Sequence, residues 1–160
     1  MGSKSFNQQG MDMTFASVLK TGFTMTAVVV GLAGCTAMQP SNVVSLTAKL
    51  SGANEVPAVT TSGTGMAEAT LNKDTNVLKW TVTYSGLTGP ALAGHFHGPA
   101  AAGSNAGVAV PFSSAASPIE GQATLTPAQV SDLMAGKWYA NIHTAANKGG
   151  EIRGQLMPGM

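Results

Sequence analysis

Apolar and polar residues alternate along most of the chain from Val43 onward. Val44, Leu46, Ala48 and Leu50 share one phase; Gly65, Ala67, Ala69 and Leu71 share another; and Leu78, Trp80, Val82 and Tyr84 alternate with Lys79, Thr81 and Thr83. A period of two is the pattern of a strand with one buried face, because successive side chains leave a strand on opposite sides. Between the second and third segments stands the turn-like Lys73-Asp74-Thr75-Asn76, so the pattern predicts a hairpin there. Shorter strands are expected over 92–98, 108–112 and 119–125, with Gly or Pro in each gap.

The period then changes. Thr126-Pro127-Ala128-Gln129 supplies an N-cap, a proline at the first helical position and a capping-box partner for the cap. Val130, Leu133 and Met134 would form the apolar side of a short helix, and Gly136 is placed to end it in a left-handed conformation. Strands over 137–144 and 151–156 complete an expected set of eight strands and one short helix. The fold class is therefore all-β, an antiparallel sandwich or barrel. Its core is expected around Leu50, Leu71, Leu78, Trp80, Val82, Trp138 and Ile142.

Composition narrows the class. The chain has 160 residues, 9% charged and 44% apolar, with 20 glycines, which fits one turn-rich, lightly charged domain plus a leader. Eight basic and seven acidic residues are scattered without a basic cluster, so nucleic acid is not an expected partner. The single cysteine, Cys35, excludes an internal disulfide.

The place of that cysteine is informative. After Lys20 runs TGFTMTAVVVGLAGC, a basic flank and then an apolar stretch of signal-peptide length, short for a transmembrane helix. Leu32-Ala33-Gly34-Cys35 resembles the lipobox of bacterial lipoproteins, in which the thiol receives a lipid and cleavage occurs before it. Residues 1–34 are thus expected to be a signal peptide, Cys35 the lipidation site, 35–42 a tether and 43–160 the folded domain. Met1, Met11 and Met13 would each serve as a start. From Cys35 onward six basic residues face six acidic ones, a neutral exported protein. Thr36 after the cysteine implies, by resemblance to lipoprotein sorting, a cell-envelope protein held by its lipid in the outer membrane and facing the periplasm. No protein partner is identified.

All three histidines fall in two short motifs, His95-Phe96-His97 and Asn141-Ile142-His143-Thr144. Alternate strand residues share a face about 6.5–7 Å apart, so His95 and His97 can converge while Phe96 enters the core. His143 from a neighbouring strand would complete a three-nitrogen site for copper or zinc. The alternative is that the imidazoles are hydrogen-bonding groups that fasten strands and loops. Glu151 is the nearest carboxylate after His143. There is no Gly-x-Ser-x-Gly elbow, and no pair of carboxylates stands out, so no catalytic residue is assigned.

Three ordered motifs, LTAKLSGANEVPAV (46–59), AGHFHGPA (93–100) and WYANIHTAANKGGEIRGQL (138–156), resemble the CHRD domain named after chordin. The resemblance implies an extracytoplasmic β-sandwich of immunoglobulin-like or copper–zinc superoxide dismutase-like architecture, and no particular reaction. It maps the family's motifs onto His95 and His97, onto Asn141, His143 and Thr144, and onto Gly150, Glu151, Ile152, Arg153 and Gly154. Phe96 replaces the small aliphatic residue common between the two histidines, which is read as added packing. Glu151 and Arg153, on one face of the last strand, are expected to pair with each other as an ion pair or with neighbours in the motif, or Glu151 and Asn141 to orient histidines from an outer shell. A structural or adhesive envelope module and a dismutase-like enzyme are the other functions considered. Three histidines are too few for a dinuclear dismutase site.

Overall fold

The computed structural model describes residues 42–159; the leader, the lipobox with Cys35, the tether up to Ser41 and Met160 lie outside the described residues. Nine strands and one α-helix follow in order: β1 (Val43–Ser51), β2 (Thr64–Asn72), β3 (Val77–Ser85), β4 (Ala91–His97), β5 (Val108–Pro111), β6 (Ile119–Thr124), α1 (Pro127–Met134), β7 (Tyr139–Thr144), β8 (Ile152–Gln155) and β9 (Met157–Pro158), with a single 3-10 turn, Gly52–Asn54, after β1. They form one antiparallel sheet in the order β5-β4-β7-β8-β1-β2-β3-β6, with β9 on β1, curled into a nearly closed barrel. The expected count of eight is short by one. The last strand breaks at Leu156, whose N–H bonds to the Trp138 carbonyl, and resumes as β9 against Leu46 and Thr47.

The expected alternation decides which side faces inward. β1 pairs with β2 so that Leu46 faces Ala69 and Ala48 faces Ala67, and β2 pairs with β3 so that Ala69 faces Trp80. Small residues thus stand where the indole needs room. Gly121, opposite Trp80 on β6, does the same: a Cβ there would lie 2.4 Å from the indole. All seven expected core residues are buried. Phe96 is fully buried at the centre of an aromatic cluster, edge-on to Trp80 at 5.2 Å and to Phe112 at 4.8 Å between ring centres. Such edge-to-face pairs add to the burial itself.

The local signals also hold. In the β2–β3 turn, Asn72 Oδ1 accepts the N–H groups of Asp74 and Thr75, and Asn76 takes a left-handed φ of 56°. At α1 the capping box of Thr126 and Gln129 is complete, Leu133 is buried, and Gly136 ends the helix at φ 68°. No helix among the described residues is long and apolar enough to cross a membrane.

Candidate metal centre

The inward phase of β4 and β7 carries Phe96, Ala140 and Ile142, so the opposite phase must carry His95, His97, Tyr139, Asn141 and His143 on the outer side. Register lines these up in rows across the sheet. His95 faces Asn141, which faces Arg153 on β8; His97 faces Tyr139, which faces Gln155; and Ala93 faces His143. This outer side is not bare. Tyr139, Asn141 and Arg153 are each no more than 3% exposed and His97 is 9% exposed, while His95 and His143 are half-buried.

The expected convergence of the histidines is present. One ring nitrogen from each of His95, His97 and His143 lies within 4.8 Å of the other two. His95 Nδ1 and His143 Nε2 are 3.0 Å apart. Metal–nitrogen bonds of about 2.0–2.1 Å place tetrahedral ligand atoms about 3.3 Å apart, so this pair stands near ligand spacing.

The surroundings decide which nitrogens hold lone pairs. His143 Nδ1 is 3.1 Å from the Lys148 carbonyl and His97 Nδ1 is 3.1 Å from the Ala106 carbonyl. A carbonyl only accepts, so each Nδ1 carries the hydrogen and each Nε2 keeps its lone pair. His143 Nε2 accepts from His95 Nδ1–H. His97 Nε2 is buried without a partner. Burial is the first cause that lowers the pKa of all three rings, reinforced at His95 by the charges of His143 and His97, so neutral imidazoles are favoured. Neutral imidazole is the form that binds copper or zinc. With His95 in its other tautomer, its Nδ1 would be the third ligand atom; two bonds of about 2.1 Å span at most about 4.2 Å, so nitrogens as far apart as 4.8 Å must draw closer for all three rings to hold one ion.

His97 is held on several sides. Its ring stacks on Tyr139 at 4.9 Å with 5° between planes, and the Arg153 guanidinium carbon lies 3.4 Å from the Tyr139 ring centre. The Tyr139 hydroxyl accepts the Ala106 N–H, and the Ala106 carbonyl accepts His97 Nδ1–H. Nothing in the alternation pattern singled out Tyr139, because an aromatic residue in a strand is most often core.

The expected Glu151–Arg153 pair is not formed. Glu151 precedes β8 at a bend, fully buried, and its carboxylate accepts from the hydroxyls of Thr61, Thr88 and Thr144, the Thr88 N–H and the Asn147 amide. Burial opposes its charge, but these donors outweigh it and hold the carboxyl at about 2. Arg153 instead donates to Asn105 Oδ1 and the Ser104 carbonyl. Fixed hydroxyls close to hand satisfy the carboxylate better than a long side chain already committed to a loop. Glu151 thus bonds to none of the three imidazoles; it ties the loop 145–150, which supplies the Lys148 carbonyl, to the loops that carry Thr61 and Thr88. Asn141 lies beside His95 in register, and its amide points toward Glu55 Oε2 and the Gly149 carbonyl, both at 3.5 Å. Glu55 was missed as a site residue; the one signal for it is a lone carboxylate amid the small and apolar residues of GANEVP.

Neither the curated proteins nor the solved structures contain a match to this chain. The model of the CHRD domain family matches residues 46–156, from the middle of β1 to the residue between β8 and β9, and takes in both histidine motifs and the Gly150–Gly154 segment. The chain therefore belongs to the CHRD domain family.

Proposed function

We propose that this protein is a lipid-anchored envelope module that binds one transition-metal ion through His95, His97 and His143, with no reaction of its own. The observation that carries the reading is the arrangement of nitrogens: three within 4.8 Å, with the far nitrogen of two rings tied to a carbonyl and His97 Nε2 buried without a partner. An unpartnered buried acceptor is costly unless something is to bind it. Copper is the favoured ion, because an all-imidazole set suits it and Cu(II) stands at the top of the affinity order for such ligands, with zinc next. Among the described residues the cluster contains no carboxylate, which leaves a fourth position for water or another ligand.

The anchor and the location rest on the sequence alone: the apolar leader, the lipobox and Thr36. Cys35→Ala is expected to block lipidation and to leave precursor or mislocalised protein in membrane fractionation; unchanged detergent-phase partitioning would make the apolar leader the anchor and overturn lipidation at Cys35.

For the ion, tag-free protein titrated with Cu(II) or Zn(II) in a calorimeter near neutral pH is expected to take up one equivalent. Each single His→Ala change should weaken uptake at least tenfold, and affinity should fall as pH drops and protons compete for the nitrogens. No uptake by the intact protein removes the reading. A second reading, in which the histidines only fasten the fold, is favoured by the direct His95–His143 hydrogen bond, which closes the cluster without an ion. Under that reading His→Ala changes lower the melting temperature and added copper does not restore it.

A further inference from the structure

Glu55 sits in the loop after β1, only 7% exposed, in a chain with few acids and with no salt bridge to its carboxylate among the described residues. Its Oε2 is 3.5 Å from Asn141 Nδ2, while its Oε1 has no partner. Asn141 Oδ1 is likewise buried and without a partner. Both orphan oxygens border one spot: a Cβ on Gly150 would lie 2.4 Å from Asn141 Oδ1 and 2.6 Å from Glu55 Oε1. Gly150, at φ 131°, has no side chain there, so the two oxygens border the same gap, with Asn141 Nδ2 2.5 Å from the same point, and lie no more than about 5 Å apart. Two acceptors cannot bond unless one carries a hydrogen.

We propose that Glu55 is a positioning residue of the histidine cluster: as a neutral carboxylic acid it donates its O–H to Asn141 Oδ1, and through Asn141 it braces the loop that orients His143. The path is short. Asn141 Nδ2 points to the Gly149 carbonyl, and the adjacent Lys148 carbonyl takes the His143 Nδ1–H, which leaves the lone pair on Nε2. The part that concerns ligation rests on the metal reading; the protonation and the bracing do not.

The environment agrees with the geometry. The charged or titratable groups on the elements around Glu55 are Arg153 on β8, Tyr139 and His143 on β7, His95 and His97 on β4, and Lys148 and Glu151 on the β7–β8 loop. Of these only Arg153 acts appreciably on the Glu55 charge, favouring ionisation, and its guanidinium is already committed to Asn105, Ser104 and the Tyr139 ring. Burial outweighs Arg153 and the hydrogen bonds from Asn141 and the Val56 N–H, which also favour the charged form, and pushes the Glu55 carboxyl up to about 7. Exchange of the proton with solvent has a route, a cleft of about 290 Å³ lined by Asn54, Glu55, Val56, Gly103, Arg153 and Gln155.

The test uses the metal-free protein, so that its failure is separate from failure of the metal reading. Carbon NMR of labelled glutamate carboxyls, assigned with Glu55→Gln, is expected to show Glu55 titrating near neutral pH; a midpoint in the ordinary carboxylate range overturns the proposal. Nitrogen NMR of the imidazoles at pH 6 reads the bracing. His143 should hold the Nδ1–H tautomer in the wild type and in Glu55→Gln, whose amide N–H replaces the acid O–H, and should become a tautomer mixture in Glu55→Ala. An unchanged His143 spectrum in Glu55→Ala overturns the bracing. If the wild type takes up Cu(II), Glu55→Ala should bind about tenfold more weakly and Glu55→Gln within about twofold; equal affinity of all three overturns the role in ligation.

Discussion

The two halves of the barrel are built from the same alternating strands and differ on their outer side. On β1, β2 and β3 the outward residues, among them Lys49, Glu68, Thr70 and Lys79, lie open to solvent, and the burial pattern alternates as the sequence does. On β7 nearly every residue is buried, and on β8 three of the four. There the loops around Glu55, Asn105 and Gly150 cover the outward face, and the side chains beneath are polar: Tyr139, Asn141, His97 and Arg153, with Glu151 at the margin. The open half needs no partners for its outward groups, because water supplies them. The covered half must supply every partner from protein, and the three unpartnered polar atoms there, on Glu55, His97 and Asn141, mark the candidate site.

The largest expected effect strikes the inner side of the covered half. Trp138→Ala should destabilise the domain by about 3–5 kcal/mol, since a ring 1% exposed would leave a cavity. A thermal melt within a degree or two of wild type would put Trp138 on the surface and reverse the faces of β7.

Next comes the outer side of the same half. Glu151→Gln should cost about 2–3 kcal/mol at pH 7, because it removes a buried charge that satisfies several donors at once. The wild type should also lose stability in acid through this group: its carboxyl lies at about 2 in the fold against an ordinary 4.5, so the contribution is present above pH 4.5 and vanishes as pH falls toward 2. Glu55 has the opposite sign. Raised to about 7, it favours the fold fully below pH 4.5 and loses that contribution as pH rises through 7. Denaturant melts across pH are expected to show both flanks, the acid one absent in Glu151→Gln and the neutral one absent in Glu55→Gln.

Thr126→Ala at the head of α1, outside both halves, should cost about 1 kcal/mol by removing the cap, with no effect on metal uptake. The smallest effect should come from the open half. Lys79→Ala on its outward face should stay within about 0.5 kcal/mol of wild type. A loss there as large as that of Glu151→Gln would erase the contrast between the halves.

How much was legible in the residues follows the same division. The hairpin of β2 and β3, the capped helix and the inward set of Leu50, Leu71, Leu78, Trp80, Val82, Trp138 and Ile142 were readable because local chemistry and alternation determine them. The break at Leu156 was not, since it depends on two neighbours, the Trp138 carbonyl and β1. His-x-His on one strand could be read as a converging pair, because strand geometry places alternate residues together, whereas the approach of His143 depends on the pairing of β4 with β7.

By itself the sequence determined the all-β class, the inward faces, the family motifs and the concentration of every histidine in two of them. Only the tertiary structure decided that β4 lies beside β7, that Glu151 turns to three threonines rather than to Arg153, and that Glu55 comes to rest against Asn141. The reason is physical. A strand's own residues set which side is apolar, whereas the partner of a buried polar atom is set by whichever distant loop excludes water from it.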